Sequence, residues 1–277
     1  PAGAWAVTPV EVTRGDGPVI LAQPHGGTFV PDDLWARLNG CGRELSDTDW
    51  HIGRLYDGLL PGATIVRATF HRYVIDANRD PGGASLYPGQ NTTGLCPVTD
   101  FDGQPIWTEG QDPSPDEIAD RRARFHTPYH AALAAEVERV RARHGVAVVY
   151  DCHSIRSVIP FLFAGTLPVF SIGTNDGAAC APAVADAVRA TCAASARYDH
   201  VLNGRFKGGW TTRHYGRPAE GVHAIQMELA RRAYLTAERA PWNYDPDRAD
   251  ALRAVLARAL AALDSLARSG PIQETPR

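Results

Sequence analysis

A single α/β domain built on a layered sheet is the fold this sequence predicts, and two observations carry it. Short apolar runs with β-branched centres, Pro18 to Ala22 and Val146 to Tyr150, read as buried strands, and they alternate with helix-period stretches such as Pro115 to Arg143 and Asp247 to Ala267. The 277 residues suffice for one large core, at the upper end of what a single α/β domain reaches, so residues 1–277 are expected to form one catalytic domain.

Taken in order, Pro18 to Ala22 runs into Gln23-Pro24-His25-Gly26-Gly27, a strand entering a loop, which leaves His25 at a strand's end. Asp47 to Leu60 spaces Trp50, Ile52, Leu55, Tyr56 and Leu59 in near-helical fashion, with Ser46 or Asp47 as the N-cap and Asp49 in the first turn. Ala63 to Phe70 and Tyr73 to Ile75 read as strands leading into Asp76-Ala77-Asn78-Arg79. Residues 82–115, rich in Gly, Pro, Asn, Thr and Asp, are too long for a plain connection and predict an ordered loop near the site. Pro115 to Arg143 is a long amphipathic helix with a break expected at Pro128, and it feeds the strand Val146 to Tyr150, closed by Asp151-Cys152-His153-Ser154. Further strands are expected at Val169 to Ile172 and Ala224 to Met227, helices at Ala181 to Ala194 and Asp247 to Ala267, and a flexible tail at 271–277.

Composition narrows the function. Hydrophobic residues are 44%, charged residues 21% and the formal net charge is -3, so no basic surplus exists for nucleic acid or anionic membranes. No apolar run approaches the roughly 20 residues of a membrane span, and the start lacks the charged-then-apolar pattern of a signal peptide. Cys41, Cys96, Cys152, Cys180 and Cys192 are widely spaced, with no CxxC pair, which suits reduced thiols and a cytoplasmic setting. Lys207 is the one lysine among 28 basic residues, a compact ammonium where Arg's planar fork is used everywhere else.

Three predicted strand ends deliver chemistry: His25, His153 and Glu228. Ligands of open α/β sheets gather at the carboxyl ends of strands, and a catalytic zinc takes three protein ligands, commonly two His and a carboxylate, leaving one position open. The residues offer Asp47, Asp49 or His51 as the third ligand; Asp47 equally suits a helix cap, and His51 a surface or packing role. Glu228 interrupts the apolar Ile225-Gln226-Met227-Glu228-Leu229. A buried carboxylate must be paired or put to use, so Glu228 either handles protons for hydrolysis or pairs with Arg231 or Arg232. Arg79 and Arg213 suit a carboxylate-bearing small molecule, because guanidinium groups clamp carboxylates in bidentate fashion, with Asn78, Lys207 and Thr212 beside them. No GxSxG elbow or phosphate-loop pattern occurs, and Cys152 next to His153 on a strand points to the opposite face.

Pro24-His25-Gly26-Gly27, Asp47-Thr48-Asp49-Trp50-His51, Asp76-Ala77-Asn78-Arg79, Asp151-Cys152-His153-Ser154, Asn203-Gly204-Arg205-Phe206-Lys207-Gly208-Gly209 and Gln226-Met227-Glu228-Leu229 together resemble the N-formylglutamate amidohydrolase (N-formylglutamate deformylase) family, over about Pro18 to Tyr234. The resemblance implies a phosphorylase/hydrolase-like fold related to zinc carboxypeptidases, with a mixed central sheet. It also implies zinc-dependent hydrolysis of N-formyl-L-glutamate to formate and L-glutamate in histidine degradation. His25, Asp49 and His153 would then hold Zn2+ or another divalent transition metal, Glu228 would be base and acid, and Arg79 and Arg213 would bind substrate. The carboxypeptidases carry their first His and acidic ligand in one HxxE motif, whereas Gly26, Gly27 and Thr28 follow His25 here, so the carboxylate must come from farther along. The rival readings are a zinc hydrolase of the same fold acting on another N-acyl amino acid or a peptide, and a metal-free binding protein for anionic amino acids.

Overall fold

In the computed structural model, which describes residues 8–270 and Ile272, the chain follows β1 (Val10–Thr13), β2 (Val19–Gln23), α1 (Asp32–Trp35), α2 (Gly40–Arg43), α3 (Ile52–Tyr56) and β3 (Thr64–Ala68). It continues through α4 (Pro115–Arg121), α5 (Thr127–His144), β4 (Ala147–Ile155), β5 (Phe170–Gly173), α6 (Pro182–Ala193) and β6 (His200–Leu202). It ends with α7 (Trp210–Tyr215), β7 (Val222–Ala230) and α8 (Pro246–Arg268). The strands form one mixed sheet in the order β1-β3-β2-β4-β7-β5-β6. Neighbours β3, β2, β4 and β7 run parallel, β1 is antiparallel to β3, and β5 is antiparallel to β7. The tail expected at 271–277 lies, apart from Ile272, outside the described residues.

The period of two along the central strands sorts side chains into two cores. Val19, Leu21, Val148, Tyr150, Cys152, Ile225 and Met227 join α6 and α8 on one face. Ile20, Ala22, Ala147, Val149 and Ala224 join α5 on the other. Both β4 and β7 are buried along all nine residues, as expected of central parallel strands covered on two sides.

Several boundaries differ from the sequence reading. The strands expected at Val146 to Tyr150 and Ala224 to Met227 extend to Ile155 and Ala230, so His153 and Glu228 lie within strands and not past their ends. Tyr73 to Ile75 is a buried turn, with the Val74 amide bonded to the His71 carbonyl. The helix expected from Asp47 contracts to Ile52–Tyr56, because His51 adopts a left-handed φ of 62° that interrupts it. The break expected at Pro128 is a single π-helical turn, Arg122–His126, joining α4 to α5: the wider turn absorbs the hydrogen bond proline cannot donate. Residues 82–114 contain no helix or strand, only isolated bridges at Trp107 and between Thr99 and Pro105.

Candidate active site

Register places the first pair. On adjacent parallel strands β4 and β7, Asp151 stands opposite Gln226 and His153 opposite Glu228. All four continue the sheet face that carries Val149 and Ala224 lower down, so apolar core gives way to polar site along one face. Cys152, one residue out of phase, is in the opposite core, which removes it as a partner for His153.

His25 comes from the loop after β2, and its carbonyl accepts the Asp49 amide at 3.0 Å, which ties the two segments together. The Nδ1 atoms of His25 and His153 face each other at 3.1 Å. Asp49 Oδ2 lies 3.3 Å from His153 Nδ1 and 3.9 Å from His25 Nδ1, and it accepts the Ser154 amide at 3.1 Å. These three residues are buried, and one ligand atom from each falls within 4.8 Å of the others. The far side of each ring meets an acid: His25 Nε2 is 2.7 Å from Asp76 Oδ1, and His153 Nε2 is 2.9 Å from Asp151 Oδ1. The Asp76 carboxylate behind His25 favours the tautomer that leaves Nδ1 free to offer its lone pair, the arrangement that metal-bound histidines use, while His153 Nε2 faces both Asp151 Oδ1 and the Asn78 amide nitrogen. Two imidazole nitrogens and a carboxylate oxygen converging in this way fit a divalent transition metal.

The surrounding charges act differently on the two rings. Burial, helped by the Arg72 charge, lowers the pKa of His25 to about 4, so it is neutral and able to donate electrons at neutral pH. Burial opposes charge on His153, but Asp151, Asp49 and Glu228 outweigh it and raise its basicity well above the ordinary range. Burial alone would raise Asp76, yet Arg72 and Arg79 hold it well below the usual carboxylate range. Arg72 bonds Asp76 at 2.6 Å and reaches to 4.0 Å of Asp49, so this buried guanidinium steadies both acids. Burial pushes the Glu228 carboxyl up to about 7, with Asp49 adding to the rise and His153, Arg72 and Arg231 opposing it.

The predicted residues divide into two groups. His25, Asp49, His153, Glu228, Asn78 and Arg79 line one cavity. Lys207, Thr212 and Arg213 do not. Lys207 Nζ pairs with Asp176 at 3.0 Å on the surface, and Arg213 Nε donates to the Gly208 carbonyl at 3.0 Å. Thr212 Oγ1 bonds Asp151 at 3.3 Å, behind the site. For Thr212 and Arg213 the reason is local: both lie in α7, a helix where the sequence shows only a Gly-rich loop. The other two ligand candidates are occupied elsewhere, Asp47 by the Tyr73 hydroxyl and the Phe101 amide, His51 by the Trp242 carbonyl. Asp47 is therefore no helix cap either. Sequence reading did not single out Asp76, Asp151, Arg72 or Arg205. Asp151 had a signal, since an acid two residues before His153 on an apolar strand must share its face.

Gly209 locks this wall together. Its amide donates to Gln226 Oε1 at 2.7 Å, and a Cβ there would stand 2.2 Å from Asn78 Nδ2. Asn78 Nδ2 is itself 3.1 Å from His153 Nε2, while its Oδ1 accepts the Thr211 amide at 2.8 Å.

The family model described as N-formylglutamate amidohydrolase matches residues 17–235. An N-formylglutamate deformylase from Pseudomonas aeruginosa is 48% identical over 251 residues, 90% of this chain and 94% of that protein. Its namesake from Pseudomonas putida is 45% identical over 251 residues, 90% of this chain and 93% of that protein. The crystal structure of an N-formylglutamate amidohydrolase from Ralstonia eutropha JMP134 matches with a TM-score of 0.76 at 27% identity, covering 95% of this chain and 98% of that one.

Proposed function

The chain belongs to the N-formylglutamate amidohydrolase family, and from that premise we propose that it hydrolyses N-formyl-L-glutamate to formate and L-glutamate, with a metal held by His25, Asp49 and His153. The observation that carries the metal is the convergence of three buried donors whose two rings are each backed by an acid. Zinc is the ion this donor set favours. When bound, it supplies a Lewis acid that makes water acidic and polarises the formyl carbonyl.

The protein's own groups do the rest. Glu228 lies beside His153 in register, in the cavity, with a carboxyl that burial brings to about 7. A group with that affinity can take a proton from the attacking water and return it to the glutamate nitrogen as the C–N bond breaks. Gln226 Nε2, 3.4 Å from Glu228 Oε2, limits its orientation. Arg72, with Arg79, keeps Asp76 ionised, and His153 and His25, with Arg72, do the same for Asp49. Arg79, whose guanidinium is committed to Thr93, Asn78 and Asp76, shapes the wall nearest His25 and adds positive potential for an anionic substrate.

Metal analysis of the purified protein, with formate release measured before and after chelation, tests this reading. We expect close to one divalent ion per chain and loss of formate release on chelation, restored by zinc. Metal-free protein with full activity would exclude the metal role while leaving the hydrolysis itself standing.

A further inference from the structure

We infer that Arg205 is the specificity-determining residue of the cavity and receives the side-chain carboxylate of the substrate, an assignment that rests on the acidic N-formyl amino acid reading above. Three guanidinium groups line the cavity: Arg72, Arg79 and Arg205. Arg72 pairs with Asp76 at 2.6 Å, and Arg79 reaches the same carboxylate at 3.6 Å. Among the described residues no acidic side chain forms an ion pair with Arg205. Its Nε and Nη2 donate only to backbone carbonyls, Leu162 and Asn91, each at 3.0 Å. Its Nη1 is buried without a hydrogen-bond partner.

A partly buried guanidinium with one nitrogen unpaired is costly unless an anion completes it. Arg205 is also firmly placed for that task. The Leu162 and Asn91 carbonyls fix the fork, and the Tyr87 and Phe206 rings lie 5.2 Å from its Cζ. Burial lowers its pKa, while the negative potential of Tyr87 and Glu228 acts the other way.

Position decides which carboxylate. Arg79 is one residue removed from the metal cluster, since its partner Asp76 touches His25 directly. The hydrogen bonds of Arg205 go to the loop carbonyls of Asn91 and Leu162, and its ring contacts are with Tyr87 and Phe206, none of them a residue of the metal cluster. With the formyl group at the metal ligands, the α-carboxylate stays close to them, and the carboxylate two methylenes farther out reaches the outer wall. Lys207 and Arg213, the cations that the sequence suggested for this role, are directed elsewhere.

The test is a specificity ratio, kcat/KM for N-formylglutamate over that for N-formylglutamine, in the metal-loaded wild type, Arg205→Gln and Arg205→Lys. We expect Arg205→Gln to lower the ratio at least tenfold, mainly through KM for the glutamate compound, and Arg205→Lys to recover part of it. A purely structural role would depress both substrates alike, so a ratio changed less than tenfold in Arg205→Gln overturns the assignment. If that variant does not fold, the lysine variant decides: a ratio within threefold of wild type overturns the assignment, and a larger fall supports it. Lost discrimination only against the α-amide of N-formylglutamate would also overturn it. Wild type that releases no formate from N-formylglutamate would instead refute the functional reading itself.

Discussion

Glu228 and the acids behind the histidines make separable demands on single residues. The proton role of Glu228 predicts that Glu228→Gln, which keeps shape and removes the base, retains metal while kcat falls by about 10²- to 10⁴-fold. Steady-state formate release with parallel metal analysis checks it, and near-normal kcat would remove Glu228 from proton transfer. Asp76 and Asp151 touch the rings and not the metal position. Asp76→Asn should therefore weaken metal affinity by about 10- to 100-fold without abolishing binding, measured by competition with a chelator of known affinity. A variant binding metal as tightly as wild type would make that contact incidental.

At the scale of elements, the site depends on how closely the turn before α7 approaches the Asp76-to-Arg79 segment. A methyl at Gly209 would occupy the space of the Asn78 amide, which contacts His153. Gly209→Ala should cut kcat/KM by at least tenfold and leave overall folding intact, since the clash lies at the site and not in either core; unchanged kinetics would show that the wall yields freely. The helix α8 has the opposite role. Leu260 is fully buried against the first core, and Leu260→Ala should cost about 2–5 kcal/mol, read by urea unfolding. Kinetic constants of the remaining folded protein should not move.

For the whole molecule, buried neutral histidines tie stability to pH. Burial lowers the pKa of His130 to about 3 and of His223 to about 4, from an ordinary 6.5. Between about pH 4 and 6.5 the unfolded chain binds these protons and the folded chain does not. Their contribution is thus fully present above 6.5 and is lost as pH falls, at about 1.4 kcal/mol per pH unit for each histidine. His223 Nδ1 accepts the Ala181 amide, so His223→Asn can keep an acceptor there while removing the titration. Unfolding free energies at pH 5 and 6.5 should show an average slope shallower by about 1 kcal/mol per unit in the variant; equal slopes would mean that His223 is charged in the folded state. All five cysteines are free, and among the described residues no helix is long and apolar enough to cross a membrane.

The chain's local pattern alone determined the alternation of strands and helices, the placing of His25, His153 and Glu228 at or near strand ends, and the expectation of a polar site where apolar runs end. These follow from period and composition, which act over a few residues. Which carboxylate joins the two histidines, which acids lie behind the rings and which cavity cation has no acidic partner are matters of tertiary structure. Asp47 and Asp49 differ by two positions in sequence, yet one meets Tyr73 and the other meets His153. Arg205 and Lys207 share one loop, yet one lines the cavity and the other pairs with Asp176. Which carboxylate or cation remains available depends on the partners that distant segments bring to it, and those partners exist only once the sheet has closed around them.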